Sequence, residues 1–232
     1  MKFDIGHYRE FRLPEWFDDG EGVLAKTLAE VWNRRYMDIY DRGGEADVEA
    51  AFAEVLDAIG LPTDNKITHR RYVYIAYAMA LAAKPTVEKY YPENRKFEAV
   101  EKAVSLWLNQ GIEVPPNFAD SIFPHINEMG RYQAVNEAYN IFYNCLKTLE
   151  PESAYNAVLD ILYDGITGDA ISGFAAACRD MFNWWLIEVV PAAYCFKLPA
   201  TIYSGKWQFP PLSQCPPVVG TIDASKVVQQ PH

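Results

Sequence analysis

The sequence predicts an all-α fold on three observations. Apolar residues recur at helical spacing in segment after segment. No stretch alternates apolar and polar residues for the length of a strand. Gly and Pro fall mostly where the helical periods stop. Of 232 residues, half are hydrophobic and 14% aromatic, which opposes disorder. A chain of this size buries roughly 70–75% of its unfolded surface, so one core suffices. The expected architecture is one compact domain of seven or eight helices over residues 21–198. An irregular N-terminal arm, 1–20, precedes it, and a Pro-rich extended segment, 199–232, follows.

In the arm, Tyr8, Phe11, Leu13, Trp16 and Phe17 show no sustained period and are expected to dock as side chains on the body. The first helix is predicted from Glu21 to Tyr40, with Leu24, Leu28, Val31, Trp32 and Ile39 in register and Gly43-Gly44 beyond it. The second, Glu45 to Ile59, carries Val48, Ala51, Phe52, Val55, Leu56 and Ile59, with Gly60 and Pro62 as stop signals. A third starts near Asp64–Thr68 and is predicted to end at Ala83, before Lys84-Pro85. Its alanines allow close helix approach, and Tyr72, Tyr74 and Tyr77 supply bulk.

The fourth helix follows Pro92 with Phe97, Val100, Val104, Trp107 and Leu108 as its stripe and Gly111 as cap. After a connector containing Pro115-Pro116, a short helix is expected within Asn117–Asn127. Tyr132–Leu149 and Glu152–Tyr163 follow, the latter ending at Gly165. The most apolar run is 170–198, expected to be a central helix wrapped by the others and kinked or ended by Pro191. Phe97–Asn109 echoes Tyr132–Asn144 at an offset of 35 residues. A helical-hairpin repeat would produce that echo, and so would two independent amphipathic helices. Beyond Pro199, Pro210-Pro211 and Pro216-Pro217 favour polyproline-like backbone, with Trp207, Phe209 and Leu212 against the body and Thr221–His232 mobile.

A net charge of −10 opposes nucleic-acid binding and adhesion to anionic membranes. Arg179, Asp180, Asn183 and Glu188 interrupt the apolar run far short of the roughly 20 residues a membrane helix needs. The opening MKFDIGHYREF lacks a signal-peptide core. A soluble, cytoplasmic protein is expected. Cys145, Cys178, Cys195 and Cys215 are widely spaced, which fits buried reduced thiols better than metal ligands.

No phosphate-cradling glycine loop, nucleophile elbow or metal-protease helix is present, and no cofactor or metal is expected. Four weaker constellations remain. His125 and Glu128 are three apart, but in the reverse of the di-metal order. Asp160, Asp164 and Asp169 flank Gly165 and Gly168, where helix capping competes with cation binding. Lys66, His69, Arg70 and Arg71 form a basic knot at a helix start, suited to an anion or to pairing with acidic neighbours. In the apolar run, Ser172, Arg179, Asp180 and Asn183 share one helix face. Glu188 falls apart from them, among Trp184, Trp185 and Val189. A pocket is expected there, lined by Trp184, Trp185, Glu188, Arg179 and Asp180, with Tyr139 and His125 nearby; paired structural polar groups would use the same residues.

Residues 76–111, AYAMALAAKPTVEKYYPENRKFEAVEKAVSLWLNQG, carry a further pattern in Ala80, Ala83, Pro85, Glu88, Tyr91, Pro92, Arg95, Ala99, Ala103, Trp107 and Gly111. It resembles a stretch of helical immunity proteins from bacterial polymorphic-toxin systems. The resemblance covers about one sixth of the chain and implies a helical fold and a partner-binding role, but no site. Two functions are carried forward. The first is a non-enzymatic module that binds another protein through an acidic, aromatic-bearing face; the aromatics of the arm and tail also suit a homodimer in which each protomer's extension lies on the other. The second is a small-molecule-binding protein or enzyme built around Trp184, Trp185 and Glu188.

Overall fold

The computed structural model describes residues 8–60, 64–124, 132–171, 178–201 and 220–221. They form a single helical domain. Among them the only strands are β1 (Ile112–Glu113) and β2 (Gly220–Thr221), a two-residue parallel pair.

The centre is α3 (Asn65–Tyr90), not the 170–198 run, which corrects the expected arrangement. Every residue from Arg70 to Ala80 on α3 is buried. Alanines 76, 78, 80, 82 and 83 keep its surface low, so neighbouring helices approach on all sides. Those neighbours include α2 (Val48–Ile59), α4 (Lys96–Gln110), α6 (Gln133–Lys147), α7 (Ala154–Leu162) and α9 (Val190–Tyr194). Asp64 starts α3 by accepting from the backbone N–H of Lys66 and Ile67, both at 3.0 Å.

Pro85 lies inside α3, which continues to Tyr90 rather than ending at Ala83. Packing outweighs the proline. Val87 is buried, Lys84 pairs with Glu88 at 3.6 Å and lies 4.8 Å over the Phe97 ring, and Tyr90 stacks on Tyr132 at 4.6 Å.

The stripes of α2, α4 and α6 are buried as their spacing requires. Asp47 caps α2, and Gly111 closes α4 in the left-handed region, φ 62. Equal in length at 15 residues, α4 and α6 meet through Phe97 and Phe142, 5.1 Å between ring centres. The short α5 spans Phe118–Ile122; residues 125–127 of the expected helix lie outside the described residues.

Two helices pass into wide, π-type turns, one beyond its expected stop and one just before Pro191. After α7 the chain continues through Gly165 in a π-turn, Tyr163–Thr167. The 170–198 run is not one helix: α8 (Cys178–Trp184) passes into a π-turn (Trp185–Val189) and then α9. The Val190 N–H donates to Trp185 O, one residue further back than in an α-helix. Pro191 has no N–H to give, so the chain widens just before it and re-enters a helix with the proline in the first turn. One extra residue rotates everything beyond it by about 100°.

The first helix is also shorter than expected. α1 covers Val23–Asn33, and Arg34 leaves it with extended backbone, ψ 158. Tyr36 then bridges Ala46, so residues 34–47 form an ordered loop joining α1 to α2. The arm residues Tyr8, Phe11, Leu13 and Phe17 pack on the core, while Trp16 stays 48% exposed under Lys197. Trp207, Phe209, Leu212, Cys215 and the tail beyond Thr221 lie outside the described residues. Among the described residues, no helix is long and apolar enough to cross a membrane.

Candidate functional site: an arginine cleft beside the α1–α2 loop

The residues singled out in the sequence separate into four places. Trp184 and Trp185 are completely buried. Trp185 sits edge-on to Phe52 at 5.3 Å and beside Phe182 at 5.8 Å. Tyr139, on α6, packs instead against Phe123 and Phe142, and burial pushes its phenol pKa up. His125, Glu128 and Ser172 lie outside the described residues.

Glu188 is half-buried and faces the N-terminal arm and the segment after α9. Tyr8 of the arm donates its hydroxyl to Oε1, and Thr201 donates to Oε2 at 2.9 Å. Thr201 in turn accepts from Trp184 Nε1 at 2.8 Å, and Asn183 Nδ2 donates to the Tyr8 carbonyl at 3.1 Å. Burial, reinforced by the carboxylate, raises the Tyr8 pKa, so the phenol remains a donor. The carboxylate is a latch that joins the arm to the segment after α9; its oxygens are engaged rather than presented to a ligand.

The basic knot lies where helix C-termini converge. His69 Nε2 donates to Thr148 O, the cap of α6, at 2.7 Å. Arg70 donates to Leu108 O in the last turn of α4 at 3.1 Å. Arg71 donates to Ile59 O, the end of α2, at 2.7 Å, and to Tyr194 O, the end of α9, at 3.3 Å. It also stacks 3.6 Å from the Tyr194 ring. Arg70 and Arg71 are only 6% and 5% exposed. Each helix end carries roughly half a negative charge, so these carbonyls stabilise buried cations where carboxylates would otherwise be needed. The bond to Thr148 fixes the His69 proton on Nε2, and burial lowers its pKa. Only Lys66 of the four is exposed to solvent.

Asp164 lies near both Glu137 and Asp160. Asp164 is pushed up to about 7 by burial and then by Glu137 and Asp160. Glu137 accepts from Gln133 Nε2 at 2.8 Å and from the Asp169 N–H at 2.5 Å. Among the described residues, no group of three or more His, Cys, Asp or Glu is arranged to hold a metal.

Arg179 leads to the fourth place. It belongs to a cleft of about 700 Å³ lined by Trp32, Asn33, Arg34, Arg35, Asp41, Arg42 and Gly43. Its guanidinium donates to Trp32 O at 2.5 Å and Arg34 O at 3.0 Å, which are carbonyls at the end of α1. It also binds Asp41 at 2.7 Å and Asn183 at 3.0 Å, and lies over the Trp32 ring at 5.8 Å. Asp180, next in sequence, is half-buried and has a contact of its own.

Asp41 accepts a second hydrogen bond, from the Tyr36 N–H at 3.0 Å, so Arg179 pins the loop through it. Other backbone bonds complete the pinning: Asp41 N–H to Tyr36 O, Gly44 N–H to Asp41 O, and Met37 N–H to Ala46 O, at 3.0–3.3 Å. Gly44 lies so close to Tyr36 that a Cβ there would sit 2.4 Å from the Tyr36 carbonyl carbon. On this loop Met37 is 66% and Tyr40 69% exposed, with Tyr40 in the left-handed region at φ 63.

The cleft charges do not all cancel. Arg34 is bound two-pronged to Glu54, a bond that raises its pKa, and Arg179 is neutralised by Asp41. Among the described residues, Arg35 donates only to a carbonyl, Arg42 O, at 3.2 Å, and the Arg42 side chain has no ion pair. Among the described residues, two exposed positive charges therefore remain at the cleft, in a chain of net charge −10. Of this site only Arg179 stands out in the sequence as a candidate. The Arg34-Arg35 pair and the Asp41-Arg42-Gly43-Gly44 turn were visible, but nothing in them shows that Arg179, 145 positions away from Arg34, closes the cleft.

Comparison of the chain with family models, curated proteins and solved structures finds no match.

Proposed function

We propose that this protein is a non-enzymatic protein-binding module that docks its partner through the α1–α2 loop, residues 34–47. One observation carries the reading: Met37 and Tyr40 are held 66% and 69% exposed on a loop whose backbone is fixed from within and clamped by Arg179. Large apolar side chains on a pre-ordered loop lose little freedom on binding. Met, Tyr and Arg are also the residue types that interfaces concentrate. An immunity-type role, in which the partner is a toxin, is one form of this reading. Unpaired Cys145, Cys178 and Cys195 accord with a reducing, cytoplasmic setting.

The test is affinity capture from the source organism's lysate with wild-type protein and with the double variant Met37→Ser/Tyr40→Ser. Both side chains are exposed, so the variant keeps its fold. A partner retained by the wild type and lost by the variant supports the reading; equal capture by both removes it.

A second reading places a small anionic ligand in the cleft, because about 700 Å³ falls within the usual size of ligand sites. The surface of that cleft is polar rather than apolar, which favours the first reading.

A further inference from the structure

We infer that the partner presents an acidic segment, whose carboxylates bind between Arg35 and Arg42 while a neighbouring apolar side chain meets Met37 or Tyr40. This rests on the α1–α2 loop being the docking surface and adds the chemistry of what docks there.

The inference follows from the charge balance of the cleft. Arg34 is spent on Glu54, and Arg179 on Asp41, Asn183 and the end of α1. Asp38 and Asp47 accept from the N–H groups of Val48 and Glu49 at 3.3 and 2.8 Å; with Glu45 they keep their charge, but none of the three lines the cleft. What remains is Arg35, held over the Arg42 carbonyl, and Arg42 itself, both at the exposed mouth. A guanidinium offers five N–H donors in a planar fork that matches a carboxylate.

An isolated pair of exposed arginines would prefer water to most ligands. The adjacent apolar pair changes that, since a segment covering Met37 and Tyr40 also excludes water from the arginines and strengthens each charged hydrogen bond. A small anion gains only the charge. A segment alternating acidic and apolar residues gains both. The chain carries a net charge of −10, which disfavours such a segment over the surface as a whole, whereas the cleft lining holds four arginines and one aspartate.

The probe is a fluorescein-labelled peptide of alternating Glu-Glu and Leu, titrated by anisotropy at about 50 mM salt, where screening is weak. Inorganic phosphate serves as competitor. The variants are Arg35→Glu/Arg42→Glu and Met37→Ser/Tyr40→Ser, all at exposed positions. Saturable binding that each double variant weakens about tenfold or more, and that added salt weakens further, is the expected result. Absence of peptide binding, or binding that the arginine variant leaves unchanged, overturns the inference. So does phosphate competing at the same concentration as the peptide, which would assign the cleft to a small anion. Affinity capture with the arginine variant separates the two levels. If the partner is still lost on changing Met37 and Tyr40 but survives arginine reversal, the docking loop stands and the acidic segment falls.

Discussion

Tyr8 donates its hydroxyl hydrogen to Glu188 across 180 positions of sequence, and Thr201 donates to the other oxygen of the same carboxylate. One side chain thereby holds both the N-terminal arm and the segment that follows α9. Tyr8→Phe removes a single hydroxyl and should lower stability by about 1 kcal/mol, the value of one partly buried hydrogen bond to a charge. The arm should also be cut faster in limited proteolysis. Combining it with Glu188→Gln should cost less than the sum of the two, because they break one interaction. Additive losses would show that the contact contributes nothing.

Arg71 joins the ends of α2 and α9 from a site that is only 5% exposed. Arg71→Ala strands one buried and one part-buried carbonyl and should cost about 3 kcal/mol in chemical denaturation. Arg71→Lys should recover little, because an ammonium on a flexible stem cannot reproduce the fork or the 3.6 Å stacking on Tyr194. A variant within about 0.5 kcal/mol of wild type would contradict the convergence of helix ends on this residue.

Asp164 sets a pH dependence opposite to that of most carboxylates. Its folded pKa is raised to about 7 by burial and by Glu137 and Asp160, above the value of the unfolded chain. Between roughly pH 4 and 7 the folded state therefore binds the extra proton, and stability falls as pH rises through that window. Asp164→Asn, neutral at every pH, should flatten this slope and stabilise the protein at pH 8 by about 1 kcal/mol, after discounting for partial exposure. Denaturation midpoints at several pH values check it; an unchanged slope would contradict it.

Gly44 has no room for a methyl group against the Tyr36 backbone, at 2.4 Å. Gly44→Ala must push residues 36 and 44 apart, at a cost of about 1–3 kcal/mol. Hydrogen exchange of the Met37 and Asp41 amides should accelerate, and partner capture should weaken although neither Met37 nor Tyr40 is changed. Protection equal to wild type would mean the loop is not held by this contact.

Helices with a clean apolar stripe were legible from the sequence. α2 and α4 in particular follow directly from spacing plus a terminal glycine. Stop signals were less reliable. Pro85 and Gly165 read as ends, but packing of Val87 and the widened turn at Tyr163 carry the chain through both. A helical wheel placed Glu188 beside the tryptophans as a pocket wall. The π-turn before Pro191 breaks the 100° step on which that wheel depends, and the residues that occupy Glu188 lie at positions 8 and 201. The basic knot was visible as charge, yet its partners are helix-end carbonyls, which no sequence pattern marks. The cleft was hidden for the same reason: Arg34, Arg35 and Arg42 are ordinary surface residues until Arg179 is seen to close over the end of α1.

Partner binding through the α1–α2 loop requires a contact at Tyr40. The most direct test is a photo-crosslinking residue placed at Tyr40, with Tyr163 as an exposed control on the π-turn after α7. Irradiation in cells of the source organism should yield a discrete adduct from position 40, absent from position 163 and lost when Met37→Ser is added. No adduct from position 40, or the same adducts from both positions, would contradict it.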